Sequence, residues 1–264
     1  MRALWTAATG MKAQQLNIDI IANNLSNVNT TGYKAQRLEF KDLFYTTLRR
    51  NNRYDEEGSP ANLEVGHGVM PIATSRNFMN GSLIETEGTF DLAIDGRGFF
   101  SVQLPNGDMR YTRDGSFKLS AEAGGNRLVT SEGYIVLDEN NNDIFIPDGI
   151  TDIIVDEYGN ITGVNENGNT VNIARIKLVN FRNPNGLRST GSNLYMATEA
   201  SGEEIPLTPE NMDSRIIQGY LEASNVQVVE EMVRMITAQR AYEITSKAIQ
   251  TSDDMMQIVS NLKR

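Results

Sequence analysis

Apolar residues recur with a period of seven at the two ends of the chain and with a period of two between them. Near the start, Leu4, Met11, Ile18 and Leu25 are spaced by seven. Ala7, Ile21 and Val28 each follow three positions later, with Gln14 as the polar exception. Two such rows over about four heptads predict a helix with a coiled-coil seam. Lys12, Asn17 and Asp19 fall on its opposite face. Near the end, Val228, Met235, Tyr242, Ile249 and Met256 repeat the spacing. Met232 opens a companion row that continues as Gln239, Ser246 and Asp253. Ser224 with Gln227 three residues later fits a capping box, so the pattern predicts a helix from about Val226 to near Leu262.

The middle of the chain alternates instead. Phe100, Val102 and Leu104 alternate with Ser101 and Gln103, and Asn106-Gly107 turns the chain back into Met109 and Tyr111, a hairpin signal. Turn dipeptides recur at Asp114-Gly115, Gly124-Gly125, Gly159-Asn160, Asn167-Gly168 and Asn185-Gly186. Short β-rich runs lie between them, among them LVT at 128–130, YIVL at 134–137, IFI at 144–146, DIIV at 152–155 and VNIARIKLV at 171–179. Many short strands with frequent turns predict a sandwich or barrel-like β domain.

The fold class expected is therefore α+β. Long N- and C-terminal helices pair as an antiparallel coiled coil, an all-β middle domain is inserted between them, and an extended linker region joins the two. The boundaries are 1–35 with 218–264 for the helical domain, 36–75 with 201–217 for the connecting region, and 76–200 for the β-rich domain. RRNNRYDEEGSPAN at 49–62 is charged and punctuated by Gly and Pro, as a linker is. Two helices cover only one side of each other, so an apolar row left over calls for further copies of the chain.

The helix at the start ends in ANNLSNVNTTGYK (22–34), with Asn23, Asn24, Asn27 and Asn29 in one cluster. One Asn or Gly suffices to cap a helix, and Gly32 can supply the left-handed stop. The remaining amides are then free to hydrogen-bond to the second helix or to a neighbouring copy. Asn23, Asn24 and Asn27 would fix register where Leu25 and Val28 supply adhesion.

Composition narrows the function classes. The chain has 264 residues, 39% of them hydrophobic and 7% aromatic, which suggests a thin body with much surface. Its 24 Lys and Arg against 34 Asp and Glu leave a formal charge of −10. That argues against nucleic acid and against anionic lipid surfaces as partners. No cysteine is present, which excludes disulfides and zinc–thiolate sites. No apolar run approaches a membrane span, so direct membrane insertion is not expected, and MRALWTAATGMKAQQ lacks the apolar stretch of a cleaved signal peptide.

Candidate chemistry is sparse. His67 is the only histidine, so a catalytic triad or imidazole metal site has little to build on. Asp138, Asn140 and Asn142 imitate the first half of a calcium loop. Asp143 stands where glycine is needed and Gly149 where the bidentate Glu belongs, so a polar turn is expected. Asp91, Asp95 and Asp114 are conceivable as paired catalytic carboxylates, with solvated turns as the simpler reading. No catalytic, cofactor-binding or metal-binding residue is assigned, and no cofactor is expected.

Several longer motifs carry a resemblance. They are IANNLSNVNTTGYK after a heptad helix, DLAIDGRGFF (91–100), RYTRDGSFKL (110–119), and QGYLEASNVQVVEEMVRMITAQRAYEITSKAIQTSDDMM (218–256). With these the chain resembles the bacterial flagellar rod and hook (axial) proteins over nearly its whole length. The segment from Leu48 to about Asn62 resembles the extra stretch that sets the distal rod branch apart from the hook branch.

The resemblance implies a structural subunit of the flagellar basal body and no enzyme. The subunit polymerises as the distal rod, a drive shaft that passes motor torque to the hook; a hook or proximal rod subunit is the alternative. Its partners would be copies of itself, proximal rod and hook subunits, ring proteins around the rod, and the flagellar type III export apparatus. The location would be periplasmic, reached without a cleaved signal peptide. The expected subunit-interface residues are Leu4, Met11, Ile18, Asn23, Asn24, Leu25, Asn27, Val28, Val228, Met235, Tyr242, Ile249 and Met256. Phe40 and Phe44 match the family's export-gate pattern, or else anchor the linker by packing. Arg49, Arg50 and Arg53 with Asp55, Glu56 and Glu57 would form the contacts of the rod-stiffening insert.

Overall fold

A computed structural model describes residues 2–49, 63–122, 124–165, 168–209, 211 and 214–262. The chain divides into two compact units: Met1–Ser26, Gln36–Arg76 and Gln227–Arg264 form the first, and Asn27–Ala35 and Asn77–Val226 the second. Helices at the chain ends and a large β-rich middle make it an α+β protein.

The first unit is built from α1 (Arg2–Ser26), α2 (Val228–Leu262) and four strands, β1 (Gln36–Asp42), β2 (Tyr45–Arg49), β3 (Leu63–Gly66) and β4 (Val69–Arg76). The strands lie in the stretch expected as an extended linker. They form two antiparallel ribbons, β1 with β4 and β2 with β3. Turn residues and charges hid them, because a two-stranded ribbon buries little and shows weak alternation. The β1–β4 register shifts between Glu39 and Phe40. Both strands of that ribbon also pack against α1.

The helices lie side by side. Asn24 reaches Glu231 near one end, and Gly10 faces Thr245 further along. From the first contact to the second, α1 steps back fourteen residues and α2 forward fourteen, so they run antiparallel. The start of α2 differs from expectation. Ser224 accepts from the Val226 N–H at 3.3 Å instead of capping the helix. The first helical turn closes through Glu231 N–H to the Gln227 carbonyl at 3.0 Å.

The second unit holds a ten-stranded sheet and a three-stranded antiparallel sheet. It contains β5 (Leu83–Glu85), β6 (Leu92–Asp95), β7 (Phe99–Gln103) and β8 (Met109–Thr112). The Asn106-Gly107 hairpin joins β7 to β8 with Phe100 opposite Thr112 and Gln103 opposite Met109. Besides β8, β7 pairs with Leu178–Phe181 and with Ile135–Val136. Phe99, Phe100, Ser101 and Val102 are all buried, so the polar residue of the alternating pattern is inside as well.

The run 171–179 is not one strand. It splits into Thr170–Arg175 in the small sheet and Leu178–Phe181 in the large one. Lys177 lies at the break, where its ammonium reaches Glu204 at 2.7 Å and the Asn141 side chain at 2.6 Å. Two late strands, Arg215–Gln218 and Tyr220–Glu222, pair back onto β6 and β5. The core is one mainly aliphatic cluster around Leu92, Leu128 and Ile161 that also holds Phe100 and Phe117. Beside it Phe78, Phe99, Tyr111, Phe181 and Tyr195 meet edge to face, with ring centroids 4.8–5.9 Å apart.

Candidate functional site

Among the described residues, buried polar side chains gather at the seam between the helices of the first unit and around Glu222 in the second. Asn24 dominates the seam. It is buried, and its amide pairs with both peptide groups of Gln36: Nδ2 donates to the carbonyl at 2.8 Å and Oδ1 accepts the N–H at 2.9 Å. A side-chain amide has the donor and acceptor spacing of a peptide, so Asn24 acts as a strand residue borrowed from the helix. Nδ2 also donates to Glu231 Oε2 at 3.3 Å, and Glu231 Oε1 accepts from Arg234 at 3.0 Å. One Asn thus ties α1 to β1 and to α2. Asn23 is exposed, and Asn27 accepts the Thr30 hydroxyl in the turn that follows.

Leu4, Met11, Ile18 and Leu25 are half-buried, as are Met235, Tyr242 and Ile249, whereas Val228 and Met256 are exposed. The covered companion row on α2 is Glu231, Ala238, Thr245 and Ser252, one residue ahead of the expected row that starts at Met232. Met232 itself is 51% exposed. Close approach of α1 explains the difference: its Gly10 and Asn24 meet Thr245 and Glu231, and small or polar groups let two backbones come near. The same offset sets Asn17 opposite Ala238. A row of small and polar side chains is invisible to a search for apolar periodicity.

The turn carrying His67 rests on α1. A Cβ on Gly68 (φ +113°) would collide with the Thr9 hydroxyl. His67 Nε2 lies 2.6 Å from the Thr46 hydroxyl, bridging β2 to the turn after β3. Phe40 sits exposed on β1, and Phe44, at 87% exposure, follows it in the turn to β2. Arg50, Arg53, Asp55, Glu56 and Glu57 lie outside the described residues, and so does the Arg49 side chain.

In the second unit, Glu222 gathers segments that are far apart along the chain. Its carboxylate accepts from Lys34 Nζ at 2.6 Å, from the Gly81 N–H at 2.9 Å and from Arg113 Nη1 at 3.3 Å, and its carbonyl accepts the Gly32 N–H at 2.8 Å. Lys34, Arg113 and Glu222 are all buried, two cations against one carboxylate. Backbone carbonyls also accept from the cations, Met79 from Lys34, and Ile94 and Gly96 from Arg113, while Arg113 Nε is buried without a hydrogen bond. Burial lowers the proton affinity of both cations and the carboxylate opposes that shift.

Asn225 adds a second fastening. It accepts the Ala35 N–H at 2.8 Å and donates to the Asn77 and Met79 carbonyls at 2.7 and 3.0 Å. Gly32, read from sequence as the helix stop, lies well past Ser26. Its left-handed φ of +66° lets the loop press on the Arg113–Asp114 peptide, where a Cβ would come within 2.7 Å.

The candidate carboxylates are occupied by structure. Asp95 pairs with Arg215 at 3.0 Å, Asp91 lies 3.8 Å from Lys118, and Asp114 accepts the Ser116 N–H at 3.0 Å. Asp138 Oδ1 accepts the N–H groups of Asn140 and Asn142 at 2.8 and 2.7 Å, closing the polar turn.

Comparison with known proteins bears on the whole chain. Residues 4–34 match the family described as flagella basal body rod protein. Residues 93–163 match the flagellar hook protein FlgE/F/G D1 domain, and residues 217–262 the flagellar basal body rod FlgEFG protein C-terminal family. The chain is similar to the flagellar basal-body rod protein FlgG of Borreliella burgdorferi, 49% identical with 100% of this chain and 99% of the relative covered. It is similar also to FlgG of Buchnera aphidicola, at 46% identity over 98% of this chain and 99% of the relative. FlgG of Caulobacter vibrioides is 40% identical over the full length of both chains.

Proposed function

Because this chain belongs to the FlgG family of flagellar basal-body rod proteins, we propose that it polymerises through its two terminal helices into the distal section of the rod. It is a structural subunit of the flagellar basal body and not an enzyme. The observation that carries the assembly reading is the exposed side of α2. Val229, Met232, Val233, Ile236 and Ile244 stand about half or more exposed, although the helix already has α1 beside it. A helix that leaves such a row in water is incomplete as a monomer. Copies packed side by side as coiled coils would cover that row. At about 25 cal/mol per Å² the burial is decisive when summed along a lattice.

In this reading the Asn24–Glu231 seam sets the register of each pair and the outer apolar rows join neighbours. The expected interface residues, from Leu4 to Val28 and from Val228 to Met256, keep that role, with Asn24 acting inside the subunit. The rod transmits torque to the hook. Proximal rod subunits, hook subunits, ring proteins and the type III export apparatus are its partners, and the location is periplasmic. Phe40 and Phe44 serve export recognition, for which Phe44 is accessible, and the charged 48–62 insert stiffens the rod.

Electron microscopy and sedimentation over a range of concentrations test this. The purified chain should form tubes. Val233→Asp with Ile236→Asp should abolish them while changing subunit stability by no more than about 0.5 kcal/mol, as exposed substitutions do. A chain that stays monomeric at every concentration, or a double variant that still forms tubes, would overturn the reading.

A further inference from the structure

The helix pair of the first unit has two dissimilar ends. The antiparallel register sets Arg2, where described α1 begins, opposite Asp253. Residues 254–262 of α2 therefore project past it. All of them are exposed, including Met255, Met256, Ile258, Val259 and Leu262. A projecting helix with five large apolar side chains in water lacks a covering surface.

Toward the other end, α1, α2 and β1 enclose a concavity of about 310 Å³. Ile20, Ile21, Leu38 and Phe40 supply its apolar wall, with Glu231 buried at its floor and Arg37 exposed at its rim. Arg37 has no carboxylate partner among the described residues, while Asp253 and Asp254 stand exposed at the base of the projecting segment.

The geometry points to a plug-and-socket contact: the 254–262 segment of one copy seats in the Ile20–Leu38–Phe40 concavity of the next, with Asp253 and Asp254 brought toward Arg37. This rests on the polymerisation reading above and names the surfaces that join copies end to end. Plug and socket lie on different surfaces of the same unit, so the contact is heterologous and each addition leaves a free plug and a free socket. Such a contact is not that of a closed two-fold dimer, and it gives an open polymer where the rotation between copies does not close. It also assigns Phe40 a place: an exposed aromatic on a narrow ribbon becomes the wall of a receptor site.

Mixing two full-length variants tests it. Ile258→Asp with Val259→Asp removes the plug, and Phe40→Asp removes the socket. All three positions are solvent-exposed, and circular dichroism verifies that the helices persist. By electron microscopy neither variant alone should form tubes under conditions in which the unaltered chain does. By sedimentation, an equimolar mixture of the two, each also carrying Val233→Asp and Ile236→Asp so that the side-by-side row of α2 cannot join copies, should give a two-chain complex that grows no further, because only one intact plug and one intact socket can meet. Variants that form tubes unaided, or a mixture that remains monomeric, would refute the contact and leave the polymerisation reading standing. Failure of the unaltered chain to assemble would instead remove both.

Discussion

The two units of this protein treat their apolar residues in opposite ways. In the β-rich unit, Leu92, Phe100, Val102, Leu128 and Ile161 are sealed within the strands. Among the described residues of the helical unit, only Ala13, Ile21 and Ala238 are buried apolar residues, while a long apolar row on α2 faces water. One unit contains its own core, and the other displays half of one. The polar interior differs too. The β-rich unit closes on a buried ionic cluster with every charge engaged, whereas the helical unit closes on one amide and one carboxylate. The first arrangement suits a body that folds alone. The second suits a pair of helices held in register while they await further surface.

The largest blow to this contrast is removal of Glu222. Glu222→Ala leaves Lys34 and Arg113 buried without a counter-charge, and breaking such a cluster costs about 3–5 kcal/mol. Urea unfolding should show that loss in the β-rich unit. A loss below about 1 kcal/mol would mean that water or backbone groups compensate the two cations, and that the cluster does not close the unit.

Asn24→Ala should have a smaller and differently placed effect. It strips hydrogen bonds from both peptide groups of Gln36 and from Glu231, worth about 1–3 kcal/mol when buried partners are left unmade. Hydrogen exchange should speed at Gln36 and along the paired helices, with the β-rich unit untouched. Equal destabilisation of both units would erase the distinction drawn between them.

The smallest effect is a pH dependence confined to the β-rich unit. Burial first, and then the 2.7 Å hydrogen bond to Glu204, raise the Tyr111 hydroxyl above its ordinary value of 10.0. Above about pH 10 the unfolded chain gives up this proton while the folded one keeps it, so the contribution is complete below that pH and declines as pH rises further. Unfolding midpoints followed from about pH 9 to 11 should fall more steeply for the unaltered chain than for Tyr111→Phe. Parallel slopes would show that Tyr111 titrates alike in both states.

Much of this was legible in the sequence, and particular residues show how. The heptads of Leu4 to Leu25 and Met235 to Ile249 gave away two helices, because a period near 3.6 has only one backbone that satisfies it. Asn106-Gly107 marked its hairpin because few residues accept positive φ. Of the clustered amides, Asn24 proved to fasten a helix to a strand, while Asn27 bonds within the local turn. What escaped was contact at a distance. Glu222 lies far along the chain from Lys34 and from Arg113, and no spacing rule joins them.

The chain order of polar and apolar residues thus determined the two helices and the β-rich middle that make the fold α+β, since periodicity and turn chemistry act between near neighbours. Only the tertiary structure decided which row of α2 meets α1, why Gly32 and Gly68 must lack a side chain, and which segments Glu222 fastens together. Those choices depend on how closely two backbones approach and on which charges share one buried space, and both are properties of folded distance, not of position along the chain.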